Sequence, residues 1–201
     1  MVSVSTASQR TAPGRPRDPR VEGAVRAAVL DLLMTGGYEA VSFREVAQRA
    51  GVGQPTVYRR WTTKAELVEF AIFAVADWTP PSPSGDLEKD LRHLAAAVLD
   101  GLLAPAVHAA LPGLLLAYHD DPDGHTRLRA WAETPVLEAF SAIVDAAELN
   151  GHLRRADVGH VFDGFLAALI LGVLTRTPEV ARRSAGHAAR VADRAVRGLN
   201  S

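Results

Sequence analysis

From Ser42 to Lys64 the chain carries a run of local signals that very few folds can accommodate together. Ser42 and Glu45 have the spacing of a capping box, so a helix starts at Phe43. Its inward positions, at helical spacing, are Phe43, Val46, Ala47 and Ala50. Gly51 follows where a helix closes in a left-handed residue, a conformation glycine adopts without steric cost. Val52 plugs the turn, and Gly53 to Arg60 form a second helix with Val57 and Trp61 facing inward. Small Ala47 lets the two helices approach closely. The pattern is a helix-turn-helix.

The outer face of the second helix carries Gln54, Thr56, Tyr58, Arg59 and Arg60, donors and planar groups suited to phosphates and base edges. Pro55 lies in the first turn, where its missing N–H costs nothing. A short solvated connector is the competing interpretation. The coincidence of cap, turn glycine, plug residue and polar face argues against it. Charge points the same way: residues 1–64 hold ten Lys and Arg against five Asp and Glu, while residues 65–201 hold twelve against eighteen. A basic front joined to an acidic remainder implies that only the front meets a polyanion. Within the first twenty residues, Gly14-Arg15-Pro16-Arg17 is an extended basic arm whose Arg15 and Arg17 could enter a minor groove. A plain solvated tail is the stronger reading of that arm.

At 201 residues with 48% apolar composition, the chain can bury a sizeable core as one domain or two small ones. It has no cysteine, which excludes disulfides and thiolate metal sites. The N-terminus shows no secretory signal, and the longest apolar run, Phe165 to Leu174, is too short to span a bilayer. A soluble, cytoplasmic protein without a membrane partner is expected.

Val21 to Thr35 reads as a first helix closed by Gly36-Gly37, and a helix from Lys64 to about Trp78 follows the motif, capped by Thr62 or Thr63. Thr79 to Gly85 is a Pro/Ser-rich breaker. Helices are then expected over Leu87–Leu103, Ala106–Tyr118 (kinked or broken at Pro112), Thr126–Asn150, Val158–Thr175 and Glu179–Leu199. Nothing alternates with a period of two, so the fold class is all-α. The expected organisation is a disordered basic arm over 1–20, a DNA-binding head over 21–64, and a helical ligand-binding and dimerisation domain over 65–201.

The order and spacing of Gly37-Tyr38, Ser42-Phe43-Arg44-Glu45-Val46-Ala47, Ala50-Gly51-Val52, Thr56-Val57-Tyr58 and Lys64-Ala65-Glu66-Leu67 resemble the TetR/AcrR family of bacterial transcriptional regulators. The resemblance is strongest over residues 21–73 and weakens afterwards to length and helicity. It implies that Ser42 and neighbouring amides hold a phosphate at a helix N-terminus. It further implies that Gln54, Pro55 and Thr56 face bases while Tyr58 and Lys64 bind phosphates. Arg59 stands where the family often has histidine, so a guanine and a phosphate are both open to it. Arg44 is a further phosphate candidate.

The last two helices point to a homodimer through Phe162, Phe165, Leu166, Leu169, Ile170, Val173, Val191 and Ala195, because a helix apolar on most sides needs neighbours. A small-molecule pocket is expected among Phe70, Phe73, Trp78, Leu103, Leu111, Leu115, Trp131, Leu137 and Phe140, with His108, Tyr118 and Arg129 as polar contacts. For any one of these, ordinary core is the plainer role; as a set they fit an apolar or aromatic effector. The expected function is a ligand-responsive repressor bound to a palindromic double-stranded DNA operator. Two rivals stand beside it: a DNA-binding regulator without a small ligand, and a helical metal-dependent hydrolase built on His119 to His125. The acidic cluster there reads as an interhelical loop, and no nucleophile elbow, phosphate loop or paired helical histidines accompany it. Neither a cofactor nor a resident metal is expected.

Overall fold

A computed structural model describes residues 19–73, 78–119, 121–147 and 155–199. All regular structure among them is helical: α1 (Pro19–Ala40), α2 (Phe43–Ala50), α3 (Gln54–Tyr58), α4 (Lys64–Phe73), α5 (Leu87–Leu102), α6 (Pro105–His119), α7 (Pro122–Leu128), α8 (Thr134–Ala146), α9 (Arg155–Thr175) and α10 (Pro178–Leu199). A π-helical turn, Arg129–Glu133, joins α7 to α8. The all-α expectation holds, and most helix ends fall within a residue or two of the sequence reading.

Three departures have local causes. Pro112 does not break α6, which runs through it; the ring lies on the exposed side, where water can serve the carbonyl left without a donor. The helix expected from Thr126 begins earlier, at Pro122. Asp121 caps it by accepting the Gly124 N–H at 2.9 Å, and Pro122 occupies the first turn. In the His119–His125 segment, His119 ends α6, Asp121 is a cap and Pro122 to His125 are helical in place of the expected loop, while Asp120 lies outside the described residues. Finally, Asp157–Thr175 of α9, with mean hydropathy 1.8, is long and apolar enough to cross a membrane by length and composition, contrary to the reading from the Phe165–Leu174 run alone. The helix extends well before Phe165, and Val158, Phe162, Phe165, Leu169 and Val173 form its buried side.

The chain buries two hydrophobic cores. One gathers α5, α8, α9 and α10 around Leu91, Leu94, Phe140, Ile143, Phe162, Phe165 and Leu169. The other gathers α1 to α4 around Val25, Val29, Leu33, Val46, Val57, Leu67 and Val68, and it also takes Ala110, Leu114 and Tyr118 from α6. Helix α6 thus packs on α1 and α4 and closes the underside of the head.

Candidate nucleic-acid interface

Local chemistry sets the two motif helices. Ser42, with extended backbone, accepts the Glu45 N–H on its hydroxyl at 3.2 Å and starts α2. Gly51 closes it at φ 64°, ψ 30°, donating to the Gln48 carbonyl, while the Val52 N–H reaches the Ala47 carbonyl at 3.0 Å. Gly53 and Pro55 then start α3. Val46, Ala47, Val57 and Trp61 are buried, and the Trp61 ring lies 4.8 Å from that of Phe70. The turn that carries α3 is therefore rigidly held from beneath.

Above this base, Gln54, Pro55 and Arg59 are exposed and Thr56 is half-buried, its hydroxyl accepting from Arg59 at 3.3 Å. Tyr58 is 52% exposed, yet its ring stacks on Phe43 at 4.2 Å, which fixes the phenol relative to the start of α2. Arg44 is exposed and paired with Glu45 at 3.0 Å. Lys64 opens α4 with its Nζ 4.2 Å above the Tyr38 ring and 3.6 Å from Glu39. Ser42 and Arg44 thus lie at the start of α2, Gln54, Pro55, Thr56, Tyr58 and Arg59 on and just after α3, and Lys64 at the start of α4 against Tyr38. Arg60 differs from the outward-facing expectation. It reaches Glu22 at 2.8 Å and ties the motif to α1, as Arg49 does through Asp31. Arg15 and Arg17 lie outside the described residues.

A second feature, missed in the sequence, lies where the head meets α6 and α7. Glu69 of α4 is only 5% exposed; it accepts the Tyr118 hydroxyl at 3.0 Å and Arg127 Nε at 3.2 Å. Arg127 also reaches Asp121 at 3.6 Å and Glu66 at 3.9 Å. Burial, followed by the Glu69 charge and the hydrogen bond to it, pushes the Tyr118 phenol far up, so it remains a donor. Glu66 in turn accepts the Thr62 N–H and hydroxyl, each at 2.7 Å, while Thr63 accepts the Glu66 N–H at 3.1 Å. Burial raises the Glu66 pKa, but these bonds and the Arg127 charge outweigh it and hold the carboxyl below its usual range. This capping box starts α4, and through Arg127 it is joined to Glu69 in one ionic seam. A Thr-x-x-Glu pattern was legible; the partners in α6 and α7 are distant in sequence and carried no signal.

The residues expected to wall a pocket are divided between the two cores. Phe70, Phe73 and Tyr118 belong to the head core, and Phe70 also carries Arg26 over its ring at 4.8 Å. Trp78, Leu103, Leu111, Leu137 and Phe140 belong to the C-terminal core. His108 and Leu115 are half-buried, and Arg129 is exposed and paired with Glu133 at 3.1 Å. The Trp131 side chain lies outside the described residues. The Trp78 indole N–H is buried with no hydrogen-bond partner among the described residues.

Of the residues expected between protomers, Phe162, Phe165, Leu169 and Val173 are buried within their own chain, where Phe140 meets the Phe162 and Phe165 rings at 5.7 and 5.3 Å. They build the core, since their spacing turns them towards α8 and α10. Leu166 and Ile170 are half-buried, while Val191 and Ala195 are exposed. Between α9 and α10 an open groove is lined by Asp157, His160, Val161, Ala168, Val191 and Ala195, among others.

A polar helix on a buried two-helix frame, joined to a second helical core, is the construction of a helix-turn-helix transcriptional regulator. Residues 25–71 match the family "Bacterial regulatory proteins, tetR family", and residues 81–195 match "Tetracyclin repressor-like, C-terminal domain". The chain belongs to the TetR family of DNA-binding transcriptional regulators. It is similar to the HTH-type transcriptional regulator YdeS of Bacillus subtilis, at 34% identity over 39% of this chain and 40% of that one. It also resembles AqdR of Rhodococcus erythropolis, at 27% identity over 79% of this chain and 73% of that one. In fold it matches a TetR regulator from Agrobacterium tumefaciens, with a TM-score of 0.64 at 20% identity over 87% and 92% of the two chains.

Proposed function

We propose that this protein is a homodimeric, cytoplasmic repressor that binds a palindromic operator and is released by a small apolar or aromatic molecule. The observation that carries the reading is the polar surface of α3, with Gln54, Pro55, Tyr58 and Arg59 exposed and Tyr58 stacked on Phe43 over a buried base. In this reading α3 enters the major groove. Gln54 and Thr56 meet base edges, Pro55 offers an apolar contact, and Ser42, Arg44, Tyr58 and Lys64 take phosphates, with Arg59 beside them. The role is binding, not catalysis.

Two heads must reach half-sites about 34–36 Å apart, so a ligand that shifts their separation penalises both contacts at once. A coupling of about 1–3 kcal/mol is enough to empty an operator. The effector site lies around Trp78, Leu103, Leu111 and Phe140, where the unpartnered indole N–H is a donor for a ligand acceptor. The second protomer covers the groove between α9 and α10, where Val191 and Ala195 are exposed. Whether bound protein represses or activates depends on where the operator lies relative to the promoter.

The test is fluorescence anisotropy of a labelled duplex from upstream of the protein's own gene against a scrambled duplex. Saturable binding as a dimer, well above the scrambled control, is the expected result. Tyr58→Phe with Lys64→Ala lowers affinity for every sequence, and the lost lysine charge flattens the salt slope by about one. Gln54→Ala changes the ranking of operators instead. Wild-type-like binding by all three substitutions would overturn the contact assignment.

A further inference from the structure

Lys64 does not stand on the head alone. Its ammonium rests over the Tyr38 ring, and the same ring packs against Gly113 of α6. A Cβ built on Gly113 would run into Tyr38 Cγ and Cδ1 and would stand 2.7 Å from its Cβ. Those atoms lie at the root of the side chain, so the ring cannot swing aside cheaply. On the other side, Gly37 has φ 66° and ψ −165°, a conformation only glycine adopts readily, and it kinks α1 just before Tyr38. Tyr38 is thus held between a glycine kink, a glycine in α6 and a lysine ammonium. Burial, with the Glu39 and Glu69 charges added, raises its phenol pKa, so the ring stays neutral.

Helix α6 carries two weak helix formers at this contact. Pro112 precedes Gly113, removing one hydrogen-bond donor from the helix, and Gly113 itself is a poor helix former. Beyond it, Tyr118 is anchored to Glu69 of α4 at 3.0 Å. Helix α6 is therefore anchored at its C-terminal end, while in its middle, where it touches Tyr38, Pro112 leaves it one backbone hydrogen bond short.

We propose that Tyr38 is a positioning residue that couples α6 to Lys64: displacement of α6 at Gly113 moves the Tyr38 ring and with it the ammonium that takes a DNA phosphate. The coupling rests on the phosphate role proposed above for Lys64. The path runs from α6 through the end of α1 to Lys64, the first residue of α4. An effector need only bend α6 at Pro112-Gly113 to loosen a phosphate contact.

The chain has two lysines, Lys64 and Lys89, so reductive ¹³C-dimethylation of the full-length protein, which preserves their charge, yields two lysine signals that Lys64→Arg assigns. The Lys64 signal is expected to be shifted upfield by the Tyr38 ring current and to move towards the unstructured position in Tyr38→Leu and Gly113→Ala. In DNA titrations Lys64→Ala lowers the salt slope by about one. Gly113→Ala and Tyr38→Leu each weaken binding roughly two- to fivefold, the range a single cation–π contact supports. Neither adds to the effect of Lys64→Ala when the two are combined. Tyr38→Leu keeps the apolar packing, so it serves if Gly113→Ala fails to fold. An unshifted Lys64 signal overturns the coupling. Additive effects in the double variants overturn it too, while leaving the phosphate contact standing. If Lys64→Ala itself leaves affinity and salt slope unchanged, the phosphate role falls and the coupling with it.

Discussion

At the scale of single residues, stability rests on a few groups whose neighbours leave no substitute. Gly51 is one, since a side chain at φ 64° is strained whatever the space around it. Gly51→Ala should cost about 1–2 kcal/mol and lower the thermal midpoint without changing the helical circular dichroism of the folded protein. Asp90 is another. Its carboxylate is 2% exposed and accepts the Ser84 N–H at 2.6 Å, the Ser84 hydroxyl at 2.7 Å and the Gly85 N–H at 3.1 Å. Burial raises its pKa, but these bonds and the Lys89 charge outweigh it and bring the value below the ordinary one. A depressed folded-state pKa stabilises the protein above the unfolded value and loses that effect as pH falls through the folded value. The stability gap between wild type and Asp90→Asn, read by denaturant melts, should therefore be full above about pH 5 and close below about pH 4.

At the scale of elements, α4 ties the head to the helices that follow it. Its N-terminus presents Lys64 to the outside, and its middle offers Glu69 to α6 and α7. A buried carboxylate is tolerated only while its acceptor sites are filled. Tyr118→Phe leaves Glu69 dependent on Arg127, itself partly exposed, and should cost about 1–3 kcal/mol by melting. Because Arg127 still holds α7, the variant should remain folded and show a changed DNA affinity, measured by anisotropy. A purely local hydrogen bond would lower the melting temperature and leave affinity untouched.

At the scale of the whole molecule, α9 exposes Leu171 and Leu174 and α10 exposes Val191 and Leu199, although both helices already bury a full face. An apolar surface of that extent on the last two helices fits a copy of the same chain. Val191→Glu places a charge in the groove between them and should shift sedimentation from dimer to monomer while the helical signal is retained. Operator affinity should fall with it, since a single head then pays the association cost alone. Dimeric sedimentation of the variant would place the protomer contact elsewhere.

What the sequence determined by itself lies within short reach along the chain. Caps, the turn glycine, the proline at the start of α3 and the 3.6-residue spacing of apolar side chains act over a few residues, so the motif and the all-α class were legible from Ser42, Gly51 and Val57 outward. The tertiary structure decided everything that depends on partners far apart in sequence. It turned Arg60 to Glu22 and placed Phe162 and Phe165 in their own chain's core. It also divided the aromatic residues between two cores, joined Glu69 to Tyr118 and Arg127, and pressed Gly113 against Tyr38. Helical periodicity reports that a face is apolar but not which helix covers it, and that choice is made by packing the whole chain at once.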